Sequence, residues 1–333
     1  MSVDMSSKID ELAHNMGEVI NRADALMDKF EKNEGDIAGI QESLEAKAKL
    51  LIQNLSWTVS SKAESDTNFN TLQKALDEAS KYQTIKNFFI TITIKPGYQG
   101  PLNIILNNVN LSYVRVLLEG SMEGSFTFNV KNSNLCDLIG LNIILNAVNS
   151  NLYFSESIYF KGYSNIINCN VYIKNLLINR TINYEKYVGI TDFRNCNINI
   201  ENIEVNIITE DTNNLTIQGL TFWSSVAILG NVKSNYTGNR QFNPIYNVNS
   251  NIEIGNIETF FNTENSFCSS VLITRGGFVS IVRKLQIVSN ITLNFAYIAE
   301  GFVVVRGIKE LNNNRASNIT KGVLTADGGY INI

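Results

Sequence analysis

Three ionisable residues hold the same place in a recurring phrase. Glu204, Lys233 and Glu258 each stand two positions past an asparagine, in N-I-E-N-I-E-V, G-N-V-K-S and G-N-I-E-T. If the phrases stack, these residues form an acid-base-acid ladder. Two carboxylates can cleave a glycosidic bond together when they are about 5–5.5 Å or about 6.5–9.5 Å apart. Glu204 and Glu258, two strand spacings apart at about 9.6 Å with a lysine between them, match neither geometry well. Alternating charges on an exposed face, contributing a few tenths of a kcal/mol each, account for the ladder as it stands. Asp192, Glu210, Asp211, Glu264 and Glu300 lie in or near expected loops, and no spacing pairs them, so no catalytic residue is assigned. The single histidine, His14, leaves no histidine-based triad. Cys136, Cys169, Cys196 and Cys268 lack C-x-x-C spacing, so neither a metal site nor a cofactor is expected.

Aromatic residues offer a second kind of chemistry. The stretch N-L-Y-F-S-E-S-I-Y-F-K-G-Y-S-N, residues 151–165, holds Tyr153, Tyr159 and Tyr163, and T-F-W brings Trp223. A tyrosine or tryptophan ring can stack on a sugar while its polar tip bonds a hydroxyl. The other reading sends Phe154 and Phe160 inward and leaves the tyrosines at an interface between copies of the chain. Tyr236 and Arg240 complete the candidates, in an Asn- and Tyr-rich loop expected from Lys233 to Tyr246.

Such residues need a scaffold, and the recurring phrase supplies it. In N-C-N-I-N-I-E-N-I-E-V, residues 195–205, the inward set Ile198, Ile200, Ile203 and Val205 is consistent only if the chain turns a corner at Asn202. The phrase returns at 168–178 and 249–259, placing corner asparagines at 175, 202 and 256, with Asn231 filling the gap. Coils of roughly 25–28 residues, stacked into a solenoid, follow from that spacing. Asparagine suits a corner because it tolerates the left-handed conformation, and its amide can bond the amide one coil away. The phrase L-N-I-I-L-N at 102–107 returns at 141–146. About eight coils make a column near 40 Å tall.

Composition narrows the function classes. Only 17% of residues are charged and the net charge is −4, with no dense Lys/Arg cluster, so nucleic acid is not an expected partner. Asparagine supplies roughly one residue in seven, far above average usage. No apolar run long enough for a membrane span occurs. The polar opening M-S-V-D-M-S-S-K predicts no export leader. Cys169 and Cys196 share a repeat position and should be neighbours, as buried reduced thiols in preference to a disulfide.

Ahead of the solenoid, Ile9, Leu12, Met16, Val19, Ala23, Leu26, Phe30, Asn33, Ile37, Ile40 and Leu44 step three and four residues at a time. That rhythm predicts a parallel coiled coil, a rod of roughly 65 Å, with His14 on its outer face. Asn33 falls on the seam, either as a polar layer fixing register or beside a local break at Gly35 and Gly39. The expected organisation is a coiled-coil stalk over residues 1–55, then a neck, capping helix and first strand over 56–100. A parallel β-helix follows over 101–311 and a C-terminal cap over 312–333. Asn70-Thr71-Leu72-Gln73 has the spacing of a capping box opening the neck helix.

The string F-N-T-L-Q-K-A-L-D-E-A, followed by I-T-I-T-I-K-P-G-Y, resembles the opening coil of the pectate-lyase-like superfamily of right-handed parallel β-helices. There a short helix plugs the first coil and the first strand ends at Pro-Gly-Tyr. A coiled-coil stalk ahead of that opening resembles phage and tailocin tail fibres and tailspikes. The resemblance implies a mainly β homotrimer located in the virion tail. Its stalk would join the tail, baseplate or another fibre protein, and its body would bind a bacterial surface glycan. The alternative it implies is a depolymerase cleaving that polysaccharide with paired carboxylates. The calcium-binding acidic cluster and catalytic arginine of pectate lyases have no match here.

Overall fold

The computed structural model describes residues 5–46, 49–60, 62, 65–84, 87–135, 137–182, 188–209, 216–262, 270–289, 294–306, 308–311 and 330–332. The chain forms two compact units, Met1–Leu50 and Leu51–Ile333. The first is a helix, α1 (Met5–Ala46), which runs unbroken through Gly35 and Gly39. Its seam residues Ile9, Leu12, Met16, Val19, Leu26 and Phe30 are each 56–66% exposed. The side chains of residues 33–46, Asn33 included, lie outside those described. The helical rhythm ends sooner than expected, because Lys49–Leu51 is already a strand.

The second unit is a parallel β-solenoid of about seven turns. Stacking is in register: Asn110 pairs with Asn134, and the column continues through Asn151, Asn170, Asn197, Val226 and Asn251. Each coil of the central body has three walls. In one coil, Val188–Arg194 forms the third wall of the coil below, Asn197 to Ile200 the first wall and Ile203 to Thr209 the second. The strand Asn197–Thr209 is continuous, yet its inward residues change phase. Ile198 and Ile200 are buried, and so are Ile203, Val205 and Ile207, with Asn202 at the break. The corner expected there is present.

Its conformation differs from expectation. Apart from glycines, the left-handed residues among those described are Asn108, Asn132, Asn149, Asn168, Asn195, Ser224 and Asn249, with φ between 46° and 56°. These open the repeated phrase, whereas Asn175, Asn202, Asn231 and Asn256 bend within an extended strand. Both sets stack by amide bonds. Asn256 donates to Asn231, Asn231 to Asn202 at 2.7 Å, and Asn202 to Asn175 at 3.0 Å. Asn132 donates to Asn108 at 3.0 Å, and Asn168 to Asn149 at 3.1 Å. An amide carries both donor and acceptor, so a column of them satisfies itself without charge.

Val109 follows Asn108, and just after each of the other six sits a small buried residue: Ser133, Ser150, Cys169, Cys196, Ser225 and Ser250. Each donates to the carbonyl two residues back, at 2.8 to 3.2 Å, and accepts the backbone N–H of its counterpart one coil below. Cys169 and Cys196 are therefore stacked, buried and free. Their mutual hydrogen bond, together with burial, pushes the Cys169 thiol up.

Coil length varies more than expected. Steps between stacked asparagines are 24, 17, 19 and 27 residues up to Asn197, then 29 and 25 between Asn202, Asn231 and Asn256. Because of the short coils, the two L-N-I-I-L-N copies do not stack residue for residue. Asn103 pairs with Thr127, which pairs with Ile144 and not Asn142. The two-residue offset is even, so inward residues stay inward.

The open end is closed by α2 (Leu72–Ala79), two residues shorter at its start and three at its end than the plug expected over residues 70–82. Thr71 is its N-cap, accepting from the Lys74 N–H, and Leu72, Ala75, Leu76 and Ala79 are buried. Gln73 acts as a surrogate strand: its amide accepts from the Ile105 N–H at 2.8 Å and donates to the Ile105 carbonyl at 2.9 Å. That ends the ladder without an open edge. Tyr98, from the Pro-Gly-Tyr turn, is buried and donates to the Pro101 carbonyl. No helix among the described residues is long and apolar enough to cross a membrane.

Two outcomes test this packing. A β-carbon on Gly230 would lie 2.3 Å from the Glu201 carbonyl oxygen of the coil below, so Gly230→Ala should lower unfolding stability by ~2–3 kcal/mol in a denaturant titration. The Tyr113 hydroxyl faces the Ala79 and Tyr82 carbonyls, and burial pushes its phenol up to about 12. Below about pH 10 both folded and unfolded chains keep this proton. Above it the unfolded chain ionises first, so stability falls as pH rises from about 10 to about 12. Tyr113→Phe should flatten that part of the thermal-midpoint profile.

Candidate functional site

Inward positions hold the stack together, so chemistry is left to outward ones. On the third wall the residue before each left-handed corner points out, giving the column Ile167, Arg194, Trp223, Val248 and Arg275. Two residues earlier runs a parallel outward column, Asn165, Asp192, Thr221 and Tyr246. Together they form a stripe of rings and guanidinium groups. Asp192 is its buried anchor, with one carboxylate oxygen taking the Tyr163 hydroxyl at 2.8 Å and Arg194 at 2.9 Å. Burial and the bond to Asp192 push the Tyr163 phenol up to about 12, which keeps it a donor. The Arg194 guanidinium lies 5.7 Å from the Trp223 ring centre, Trp223 lies 6.5 Å from Tyr246, and Arg275 lies 5.7 Å from Tyr246. Trp223 is 37% exposed. Planar cations on flat rings gain cation–π attraction and are held flat.

Thr221, between Asp192 and Tyr246, is buried with no hydrogen-bond partner for its hydroxyl, and Asn165 Oδ1 is likewise unpartnered among the described residues. Polar atoms so placed mark where water or a polar ligand completes the bonding.

The other walls carry different surfaces. On the first wall Tyr153 stacks on Tyr172 with ring centres 4.7 Å apart, and Val226 and Ile228 are exposed beside them. They border a shallow apolar hollow of about 390 Å³. The Tyr172 hydroxyl is occupied by Glu201 at 2.5 Å. On the second wall, Lys161, Asn179, Arg180, Thr181, Asn206 and Ile208 line a groove of about 700 Å³.

The aromatic candidates are thus distributed, not clustered. Tyr153 faces out from the first wall. Tyr159, half-buried, pairs with Leu177 on the second; Tyr163 bonds Asp192 on the third, where Trp223 also stands. Tyr236 and Arg240 are buried, which corrects their expected place in a surface loop. The strands Val226–Thr237 and Phe242–Asn262 occupy most of that segment. Tyr236 stands at an inward position, stacked on Phe242. Its hydroxyl donates to the Arg240 carbonyl and accepts from the Arg240 N–H, both at 2.7 Å, and also bonds Thr209 at 3.1 Å. It closes a turn of the core and presents nothing to solvent.

The Glu204, Lys233 and Glu258 ladder stacks in register as read from the phrase, with Lys284 3.6 Å from Glu258. Glu210, Asp211, Glu264, Cys136 and Cys268 lie outside the described residues, as does the side chain of Glu300. No group of three or more potential metal ligands occurs among the described residues.

Arg194, Asp192's bonded role, Tyr246 and Arg275 escaped the sequence reading. The signal was there: aligning the repeated phrases on corner asparagines 202, 231 and 256 also aligns the residue eight positions before each, which stacks Arg194 with Trp223. Tyr236→Phe provides a check on the buried assignment. It leaves the Arg240 N–H unpartnered and should cost ~1–3 kcal/mol of stability, measured by denaturant unfolding. Comparison with protein-family models, with curated proteins and with solved structures returned no match for this chain.

Proposed function

We propose that this protein is a homotrimeric fibre of a phage or tailocin tail. Its α1 helices would form a parallel coiled-coil stalk joined to the tail, baseplate or another fibre protein. Its solenoids, wound right-handed, would bind a bacterial surface glycan. One observation carries the reading: α1 holds an apolar seam at heptad spacing, 56–66% exposed at six positions in a single chain. A helix of 42 residues with that stripe gains its stability by packing on copies of itself. The self-satisfied amide columns suit a rigid rod whose stability does not depend on charge pairs.

The described carboxylates favour binding over cleavage. Asp192 is committed to Tyr163 and Arg194, and Lys233 stands between Glu204 and Glu258.

Light scattering on the purified chain tests the assembly. The expected mass is three times 37.2 kDa, and a double change Leu12→Ser with Val19→Ser should shift the trimer toward monomer. A wild-type chain that stays single at micromolar concentration sinks the proposal.

A further inference from the structure

The geometry points to a saccharide subsite on the outer third wall, in which one pyranose ring stacks on Trp223 and its oxygens bond the Arg194 guanidinium. It rests on the glycan-binding reading above and adds the wall, the residues and the sugar-ring chemistry.

Several features converge here and on no other wall. Trp223 is exposed, whereas the second tryptophan, Trp57, is buried against Phe69 and Tyr82. An indole face offers the C–H side of a sugar ring a flat apolar partner. Arg194 is held beside it by Asp192, which is itself held by Tyr163, so a donor fork stands at the platform's edge with its rotamer already fixed. The salt bridge uses one guanidinium nitrogen and leaves the group 46% exposed, with further N–H donors toward solvent. Thr221 contributes an unpartnered hydroxyl within the second column, between Asp192 and Tyr246. Tyr246 and Arg275 continue the stripe over the following coils. The rise per coil, about 4.8 Å, is close to the span of one pyranose unit, so successive coils address successive sugars.

Competing ligands fit less well. A nucleic acid needs a field of cations. Among the described residues this column brings Lys131, Arg194, already paired, and Arg275, in a chain of net charge −4. The first-wall hollow is apolar, its two phenols Tyr153 and Tyr172 are stacked on each other, and the Tyr172 hydroxyl is tied to Glu201.

The full chain can be titrated into the high millimolar range with methyl α-glucoside, methyl α-galactoside, N-acetylglucosamine and glucuronic acid. Saturation-transfer NMR and intrinsic fluorescence are the readouts. At least one sugar should show saturation transfer from its ring protons and change the tryptophan emission. Trp223→Ala should weaken that binding at least about tenfold with an unchanged thermal midpoint. Arg194→Lys, which keeps charge and loses the planar fork, should weaken it several-fold. Silence from all four sugars, or undiminished binding by Trp223→Ala, overturns the subsite. So does an emission change with oligothymidylate and none with sugars, which would assign the wall to single-stranded nucleic acid. The two proposals fail separately: a monomer that binds sugar through Trp223 refutes the trimer alone, and a trimer that binds none of the sugars refutes the subsite alone.

Discussion

Backbone hydrogen bonding between successive coils is the constraint from which the rest of this molecule follows. Parallel strands at about 4.8 Å place residue over residue in register, so every side chain meets its counterpart at close range. Like charges stacked that closely repel. Amides attract, since each donates upward and accepts from below. The columns through Asn110 and through Asn175 are what this constraint selects. It also explains why charged residues make up only 17% of the chain. Where charges do stack, they alternate in sign, as Glu204, Lys233 and Glu258 do.

The same constraint acts inside the coil. At the inner edge of six left-handed corners, from Asn132 to Asn249, a hydroxyl or thiol bridges two coils through backbone groups that would otherwise be buried unpaired. Cysteine serves there as a serine with a larger sulfur, which accounts for two stacked thiols without invoking redox chemistry. Glycine enters the same corner at Gly276, with φ 78°, where a β-carbon would lie 2.0 Å from the Asn249 side-chain oxygen. A corner column therefore tolerates asparagine, serine or glycine, provided the backbone can turn left and the coil below leaves room.

Much of this was legible in residue order. The phase change at Asn202 is visible as two runs of alternating isoleucines that disagree about which side is inside. The plug helix and Pro-Gly-Tyr turn were legible because local capping and turn chemistry mark them. Three things were not. The left-handed residue could not be told from the extended corner, because asparagine serves both. Coils of 17 and 19 residues between Asn134 and Asn170 were hidden, since a shortened coil keeps the stacked walls and loses connecting residues. Tyr236 and Arg240 read as a polar loop because a buried phenol that closes a turn has the same composition as an exposed one. Only the hydrogen bonds from its hydroxyl to the Arg240 backbone distinguish them.

Outward positions escape the stacking rule wherever neighbouring side chains gain nothing from matching, and there the sequence is free to vary for other reasons. The column before the left-handed corner shows this freedom. It runs Lys131, Val148, Ile167, Arg194, Trp223, Val248 and Arg275, with no repeated residue type over adjacent coils. Its larger members are nonetheless linked, guanidinium to indole and indole to phenol, with Asp192 anchoring one end. A solenoid thus separates two demands that a globular domain combines: the inner and corner columns supply stability by repetition, and the outer walls are left free to depart from it. The departure costs the fold little, because removing an outward ring leaves every coil-to-coil backbone bond in place.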